Sequence, residues 1–385
     1  MSTLGADPVA AAWRDRLQAA ANAAIASPRF RRFAARFPLT RPIARRRAKA
    51  VFDLVSGFVY SQVLLACVRL DLLGMLAEGP LSEEALRLRI GLPAEGLQRL
   101  IDAAIALQLL TRCRDGRLQL GSVGAPIAGD PGIAALIEHH ALFYADLRDP
   151  VALLRDGARA DGELARYWPY CANRAGTGFA PERIAAYSQL MSTSQSLIAS
   201  EVLDAWSMRR HRRVLDVGGG DGTFLTAMAT RWPHLDGFLF DLPPVAERAA
   251  TRFAAHGLGT RTVVVGGSFL RDPLPLGADL VTLIRVLHDH DDASVMTVLR
   301  AARAALPADG RVLVAEPMSA TPGAESVGDA YFGFYLLAMG RGRPRTPARI
   351  GELLLAAGFT RPRLIPTAMP MQTSVVVADA ASRLS

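Results

Sequence analysis

A chain of 385 residues, half of them hydrophobic, is long enough for two domains and a large core. Its cysteines, Cys67, Cys113 and Cys171, are spaced for neither a metal cluster nor a disulfide framework, which fits a reducing cytoplasm. The net charge of +8 is almost all arginine in an alanine-rich chain, which reflects a GC-rich genome more simply than a polyanionic partner.

Residues 8–27 are alanine-rich and helix-compatible, and no apolar leader with a small-residue cleavage site precedes them. A basic arm follows. Arg31, Arg32, Arg36, Arg41, Arg45, Arg46, Arg47 and Lys49 alternate with Phe30, Phe33 and Phe37, and Pro38 and Pro42 interrupt the segment. Three readings stay open for this arm: a solvated segment packed on a partner subunit, an anchor on an anionic membrane surface, or a nucleic-acid contact. A long helix is predicted over 48–76. Its uncharged run between Asp53 and Arg69 is too short to span a bilayer and reads as buried. Ser82-Glu83-Glu84 caps a second helix that stops near Gly91, and Pro93 opens a third with Leu97, Leu100, Ile101, Ala104 and Ile105 on one face. Asp115-Gly116 between 110–114 and 117–120 is a hairpin turn, so the pattern is a winged helix. Arg99 is the only cation on its second helix, which argues against reading DNA and for a subunit interface.

Residues 130–207 read as mostly helical and aromatic, with Phe143, Tyr144, Tyr167, Trp168, Tyr170, Phe179, Tyr187 and Met191 as core or as the lining of an apolar pocket. Strands and helices then alternate: strands at 213–217, 236–241, 261–266, 278–286 and 310–316, helices at 222–231, 244–256 and 291–306. Helices near 327–339 and 347–357 and strands near 361–366 and 374–378 complete an α/β doubly wound, seven-stranded Rossmann-like domain. The expected domains are an arm (1–47), a winged-helix dimerisation domain (48–125), a helical linker and pocket segment (126–207) and a catalytic domain (208–385).

The stretch 214–224 organises this second half. Val-Leu-Asp-Val-Gly-Gly-Gly-Asp-Gly-Thr-Phe is a buried strand, a glycine turn and a helix start. Gly218, Gly220 and Gly222 give G-x-G-x-G, and Thr223 stands where a dinucleotide fingerprint needs its third glycine. Asp216 and Asp221 would repel a pyrophosphate but suit a ligand with an amino group and no phosphate, namely S-adenosylmethionine. Asp241, at the end of the next strand, is placed to accept ribose hydroxyls. Gly266-Gly267-Ser268-Phe269 is either a plain turn or an adenine site, with Phe269 stacking and Ser268 bonding the ring edge. Methyl transfer to an alcohol needs alignment and loss of a proton. The candidate base is His288, which follows the fourth strand. Glu316, ending the fifth, is expected to hydrogen-bond its ring and fix its tautomer. A capping or solvent-facing histidine is the alternative, and a metal site among 288–291 is disfavoured because adjacent residues diverge. Arg341, Arg343 and Arg345 form a loop expected to be solvated.

Together these motifs resemble the O-methyltransferase family of plant caffeate and acetylserotonin enzymes and bacterial polyketide methyltransferases. The resemblance covers nearly the whole chain through Asp-Val-Gly-Gly-Gly, Phe-Asp-Leu-Pro, Gly-Gly-Ser-Phe, Val-Leu-His-Asp, Ala-Glu-Pro and Ala-Ala-Gly-Phe. It implies that Asp241 binds ribose, Phe269 lies on adenine, His288 is the base, Glu316 is its partner, and Tyr187 and Met191 contact substrate. It also implies a homodimer. Two positions depart from the plant pattern: Pro344 stands at the second carboxylate and Ser268 at the adenine-binding aspartate. Segments 27–30, 35–47, 58–64 and 338–343 are similar to the hydroxycarotenoid O-methyltransferases of purple phototrophic bacteria. That likeness implies an apolar polyene with a tertiary hydroxyl as substrate, no nucleic acid, and a cytoplasmic protein peripheral to the inner or photosynthetic membrane. A tertiary alcohol is a poor acid, so desolvated alignment matters beside the base. The same fold acting on bacteriochlorophyllide or a small aromatic alcohol is the near alternative, and a winged-helix regulator sensing S-adenosylmethionine is the distant one.

Overall fold

The computed structural model describes residues 8–157, 162–167 and 195–380. The chain divides into two compact units, Met1–Pro126 and Ile127–Ser385.

In the first unit, helices Pro8–Ala26 and Pro28–Arg36 precede the long helix Arg41–Arg69. The long helix starts earlier than predicted because Pro42 lies in its first turn, where a missing N–H costs nothing. It also ends earlier: Asp71, at φ 51°, breaks the chain before a separate short helix, Leu72–Ala77. Helix Glu83–Ile90 is capped as predicted, with Ser82 Oγ accepting from Ala85 N at 3.2 Å. Helix Ala94–Ala106 buries Leu97, Ile101 and Ala104. Strands β1 (Leu110–Arg112) and β2 (Leu118–Leu120) form the wing, and Leu81 bridges to Leu118. The long helix departs most from expectation. Only Leu65 and Cys67 are buried, whereas Leu54 is 85% and Phe58 71% exposed, with Val51, Phe52, Val55 and Val59 exposed beside them. By length and composition the helix is apolar enough to cross a membrane. A contiguous apolar face of this kind marks an interface.

The second unit is built on strands buried on both faces, which is why they read as nearly continuous apolar runs. Among the described residues they form one sheet in the order β5-β4-β3-β6-β7-β9-β8, from β3 (Arg213–Val217), β4 (Asp236–Asp241), β5 (Thr262–Gly266), β6 (Leu280–Ile284), β7 (Arg311–Glu316), β8 (Phe359–Ile365) and β9 (Ser374–Ala380). The five strands from β5 to β7 are parallel, and β9 runs antiparallel to both β7 and β8. Side-chain alternation splits the core: Leu215, Val281 and Val314 pack on one face, and Val214, Leu239 and Leu280 on the other. Strand order reverses between β3 and β6, so a crevice for ligands opens beyond their carboxyl ends.

If the bare face of Arg41–Arg69 is covered by another chain, the double variant Leu54→Asp/Phe58→Asp should lower the mass measured by light scattering to that of one chain. An unchanged mass would mean that this face does not hold the assembly together.

Candidate active site

The carboxyl end of β3 carries a buried acid. Asp216 shares a register position with Thr282 on β6 and Leu239 on β4, and points to the face that Leu239 occupies. Thr282 Oγ1 donates to Asp216 Oδ1 at 2.7 Å, and Oδ2 has no partner among the described residues. Burial pushes the carboxyl up to about 7 against the help of Thr282, and the Asp241 charge adds to the rise. Asp241, two residues beyond Leu239, accepts from Gly220 N at 2.8 Å and Leu242 N at 2.7 Å. Burial raises it to about 6 despite these two donors. The glycine turn must stay bare. Gly218 has φ +70°, and a Cβ there would stand 2.8 Å from Val286 Cγ2. A Cβ on Gly219 would stand 2.7 Å from Asp216 Oδ2.

Phe269 is half-buried beside this turn and meets His290 edge to face at 5.4 Å. Ser268 is held by its backbone N–H, which donates to Asp272 Oδ2 at 2.7 Å. Asp221 departs from its predicted role beside the ligand. It forms an ion pair with Arg252 at 2.6 Å and accepts from Thr223, so it braces the helix that starts there.

Beyond β6 the chain turns through Arg285, at φ 58°, into a 3-10 turn, Leu287–Asp289, that buries His288. An arginine held in the left-handed region is a strained conformation kept by its surroundings. Glu316, at the end of β7, does not make the predicted bond to the ring: Nδ1 lies 3.8 Å from Oε1 and has no hydrogen-bond partner among the described residues. Instead Oε1 accepts the backbone N–H groups of Leu287 and His288. The acid therefore positions the turn and acts on the ring by charge. On the other side, Nε2 is 3.1 Å from Asp289 Oδ1. Burial lowers the affinity of His288 for a proton, but the Asp289 and Glu316 carboxylates outweigh it and raise the pKa above the ordinary value. His290 is shifted the other way, chiefly by burial.

The loop expected to be solvated is the clamp on this turn. Arg345 is 2% exposed. Its guanidinium donates to Leu287 O at 2.8 Å, His290 O at 2.6 Å and Asp292 Oδ1 at 2.9 Å. Arg343 N donates to His288 O at 2.9 Å. Arg343 and Arg349 also reach Asp292, from more exposed positions, at 2.7 and 3.0 Å. The three arginines together hold Asp292 at about 2, against the opposing effect of burial. Gly342, at φ +76°, presses against His288 O so closely that a Cβ would overlap it.

An aromatic wall adjoins the turn. Phe332 meets the His288 ring edge-on at 6.1 Å and continues into Tyr331 and Tyr335. Two histidines of helix Pro131–Asp146 complete it: His139 Nε2 to Tyr335 Oη and His140 Nε2 to Tyr331 Oη, each 2.7 Å. Burial pushes His139 down to about 4, so it bonds as a neutral ring. Phe143 and Tyr167, singled out in the sequence, join this cluster. Tyr187 and Met191 lie outside the described residues.

The O-methyltransferase domain family matches residues 160–360, and the O-methyltransferase dimerisation domain matches 52–123. The chain belongs to the O-methyltransferase family. It is 46% identical over 352 residues to demethylspheroidene O-methyltransferase of Cereibacter sphaeroides, covering 91% of this chain and 92% of that one. It is 42% identical over 347 residues to the enzyme of the same name from Rhodobacter capsulatus, covering 89% and 85%. The solved structure of CalO1, a methyltransferase in calicheamicin biosynthesis in its SAH-bound form, superposes with a TM-score of 0.74 at 28% identity, covering 87% of this chain and 98% of that chain.

The protein is thus an S-adenosylmethionine-dependent O-methyltransferase and a homodimer. The residues present fit that cofactor. Asp216 Oδ2, which has no partner among the described residues, lies against Gly219 of the bare glycine turn, and the Asp241 carboxylate keeps lone pairs for a diol after its two backbone bonds. A cationic ligand favours the ionised acids. Cofactor affinity should therefore rise several-fold as pH climbs through about 6 to 7 and then level off, and Asp216→Asn should flatten the profile in calorimetry. The ligand-free fold should respond oppositely. Because its acids hold protons more tightly than the ordinary 3.8, their contribution to stability is lost as pH rises from that value to about 7. For the clamp, Arg345→Met leaves Asp292 and two carbonyls without their buried partner. It should cost about 3 kcal/mol in urea unfolding and lower kcat more than it weakens cofactor binding. An unchanged kcat would separate the clamp from catalysis.

Proposed function

We propose that this O-methyltransferase methylates the tertiary hydroxyl of an acyclic hydroxycarotenoid. The observation that carries the reading is the likeness, over nine-tenths of the chain, to an enzyme named demethylspheroidene O-methyltransferase. The wall of Phe332, Tyr331 and Tyr335 beside His288 agrees with it, because a polyene offers π-faces and almost no polar atoms. A substrate of this kind resides in lipid, which supports our proposal of a cytoplasmic enzyme peripheral to the inner or photosynthetic membrane.

When bound, S-adenosylmethionine supplies a methyl group on a good leaving group. The chain's residues supply the rest. Asp216, Gly218 and Gly220 with Asp241 form the cradle, and Ser268 and Phe269 border the adenine side. His288 takes the hydroxyl proton, and the imidazolium that results is the form that the Asp289 and Glu316 carboxylates favour. Burial of the ring and the aromatic wall exclude water, which strengthens each of these interactions. Tyr187 and Met191 remain candidate substrate contacts.

Purified enzyme with labelled cofactor and a detergent-dispersed hydroxylated acyclic carotenoid should place label in the carotenoid. Asp241→Ala should abolish transfer, and His288→Ala should slow it by about a hundredfold or more. Label appearing only in chlorins or small aromatic alcohols would overturn the substrate. The base makes a second demand: kcat/KM should rise with pH through a value above the ordinary 6.5, and Asp289→Asn should move that limb to lower pH. A limb that stays in place would remove His288 from the proton transfer.

A further inference from the structure

We propose that residues 28–47 are an interfacial anchor for an anionic lipid bilayer. Helix Pro28–Arg36 docks by the edge that carries its buried residue, Ala34. At 3.6 residues per turn, Phe30, Phe33 and the C-cap Phe37 share a neighbouring face that stays open. Phe33 is 58% exposed, and its ring stacks on Phe37 at 5.5 Å. Leu39, 79% exposed, and Ile43 extend the apolar strip past the elbow. Thr40 Oγ1 fixes that elbow by donating to Ala34 O at 2.9 Å. Arg29, Arg32 and Arg36 lie along the flank of the phenylalanine face, and Arg41, Arg45, Arg46, Arg47 and Lys49 follow.

The charge selects the occupant. From 28 to 52 there are nine basic residues and no acidic one. A second copy would bring the same positive charge, and the dimerisation domain begins only at residue 52. A nucleic acid would satisfy the arginines but leave the exposed Phe, Leu and Ile in water. An anionic bilayer satisfies both: rings enter the acyl boundary while guanidinium groups stay among headgroup phosphates. The inference deepens the reading of a lipid-resident substrate, but it rests on the chemistry of the arm alone.

The test is flotation of the full-length dimer, without substrate, with phosphatidylglycerol-containing vesicles and with pure phosphatidylcholine vesicles. Binding is expected to the anionic vesicles only and should be released by high salt. The triple variant Arg29→Gln/Arg32→Gln/Arg36→Gln should weaken it by about a hundredfold. Phe30→Ser/Phe33→Ser/Phe37→Ser should abolish it, and the matching Phe→Leu variant should restore it. Circular dichroism, dimer mass and cofactor binding report that each variant is folded. The serine variant should keep its turnover on detergent-dispersed substrate and lose it on substrate held in vesicles. Equal binding to neutral vesicles, or undiminished binding by the serine variant, would overturn the proposal. So would a serine variant that falls to monomers, which would make the arm a subunit contact, or duplex DNA binding that is indifferent to the phenylalanines. Because flotation uses no substrate, its failure is separable from failure of the carotenoid assay.

Discussion

Two carboxylic acids are buried at the carboxyl ends of neighbouring parallel strands, and the cofactor side of the site follows from that. An ionised acid in such a place is costly unless it is paired. Asp216 receives one bond from Thr282 and Asp241 receives two from the backbone, which is too little to keep either at its ordinary value. The cradle therefore stays electrostatically incomplete without a ligand. A ligand bearing a cationic sulfonium, a cationic amine and a diol completes it, whereas a pyrophosphate would raise the cost further. The glycine turn serves the same end. A Cβ at Gly219 would press on the Asp216 carboxylate, one at Gly218 would strike Val286, and one at Gly222 would strike Phe253.

The other half of the site uses the opposite strategy. The His288 turn is cross-braced from three directions, by Glu316 from β7, by Arg345 from a loop more than fifty residues on, and by the carbonyl of His288 itself accepting from Arg343. The guanidinium fork suits this task, since it meets two carbonyls and a carboxylate at once and stays charged when buried. A base that must face a poor acid in a desolvated site gains little from mobility, and the packing of Gly342 against the turn leaves it little room to move.

What the sequence made legible was local. The β3 strand, the glycine turn and Asp241 lie within 29 residues, and their apolar and glycine pattern is enough to define them. The parallel strands were equally clear because burial on both faces makes them uniformly apolar. Partnerships across the sheet were not. Glu316 was recognised as a neighbour of His288, yet nothing in the chain says that its oxygen meets backbone N–H groups before it meets the ring. Arg345 resembled its neighbours Arg341 and Arg343, half-buried and exposed, because burial of one arginine among three depends on Asp292, 53 residues away. Asp221 looked like a ligand for the same reason in reverse, since Arg252 is 31 residues off. The histidine–tyrosine bonds span 196 and 191 residues and carry no periodic signal at all.

The N-terminal unit leaves two apolar surfaces exposed, and their composition separates them. Along 51–59 of the long helix the exposed residues are Val51, Phe52, Leu54, Val55, Phe58 and Val59, interrupted by one acid, Asp53, which pairs with Lys49. Such a face can be dried completely against an equal one, and it lies almost wholly within the dimerisation domain. Along 28–47 every apolar residue has an arginine within two or three positions, so no flat protein surface could cover the rings without burying guanidinium groups beside them. Burying unpaired charge costs more than the rings return. A surface that is apolar at one depth and anionic a few ångströms higher removes the conflict, and a bilayer interface has that profile.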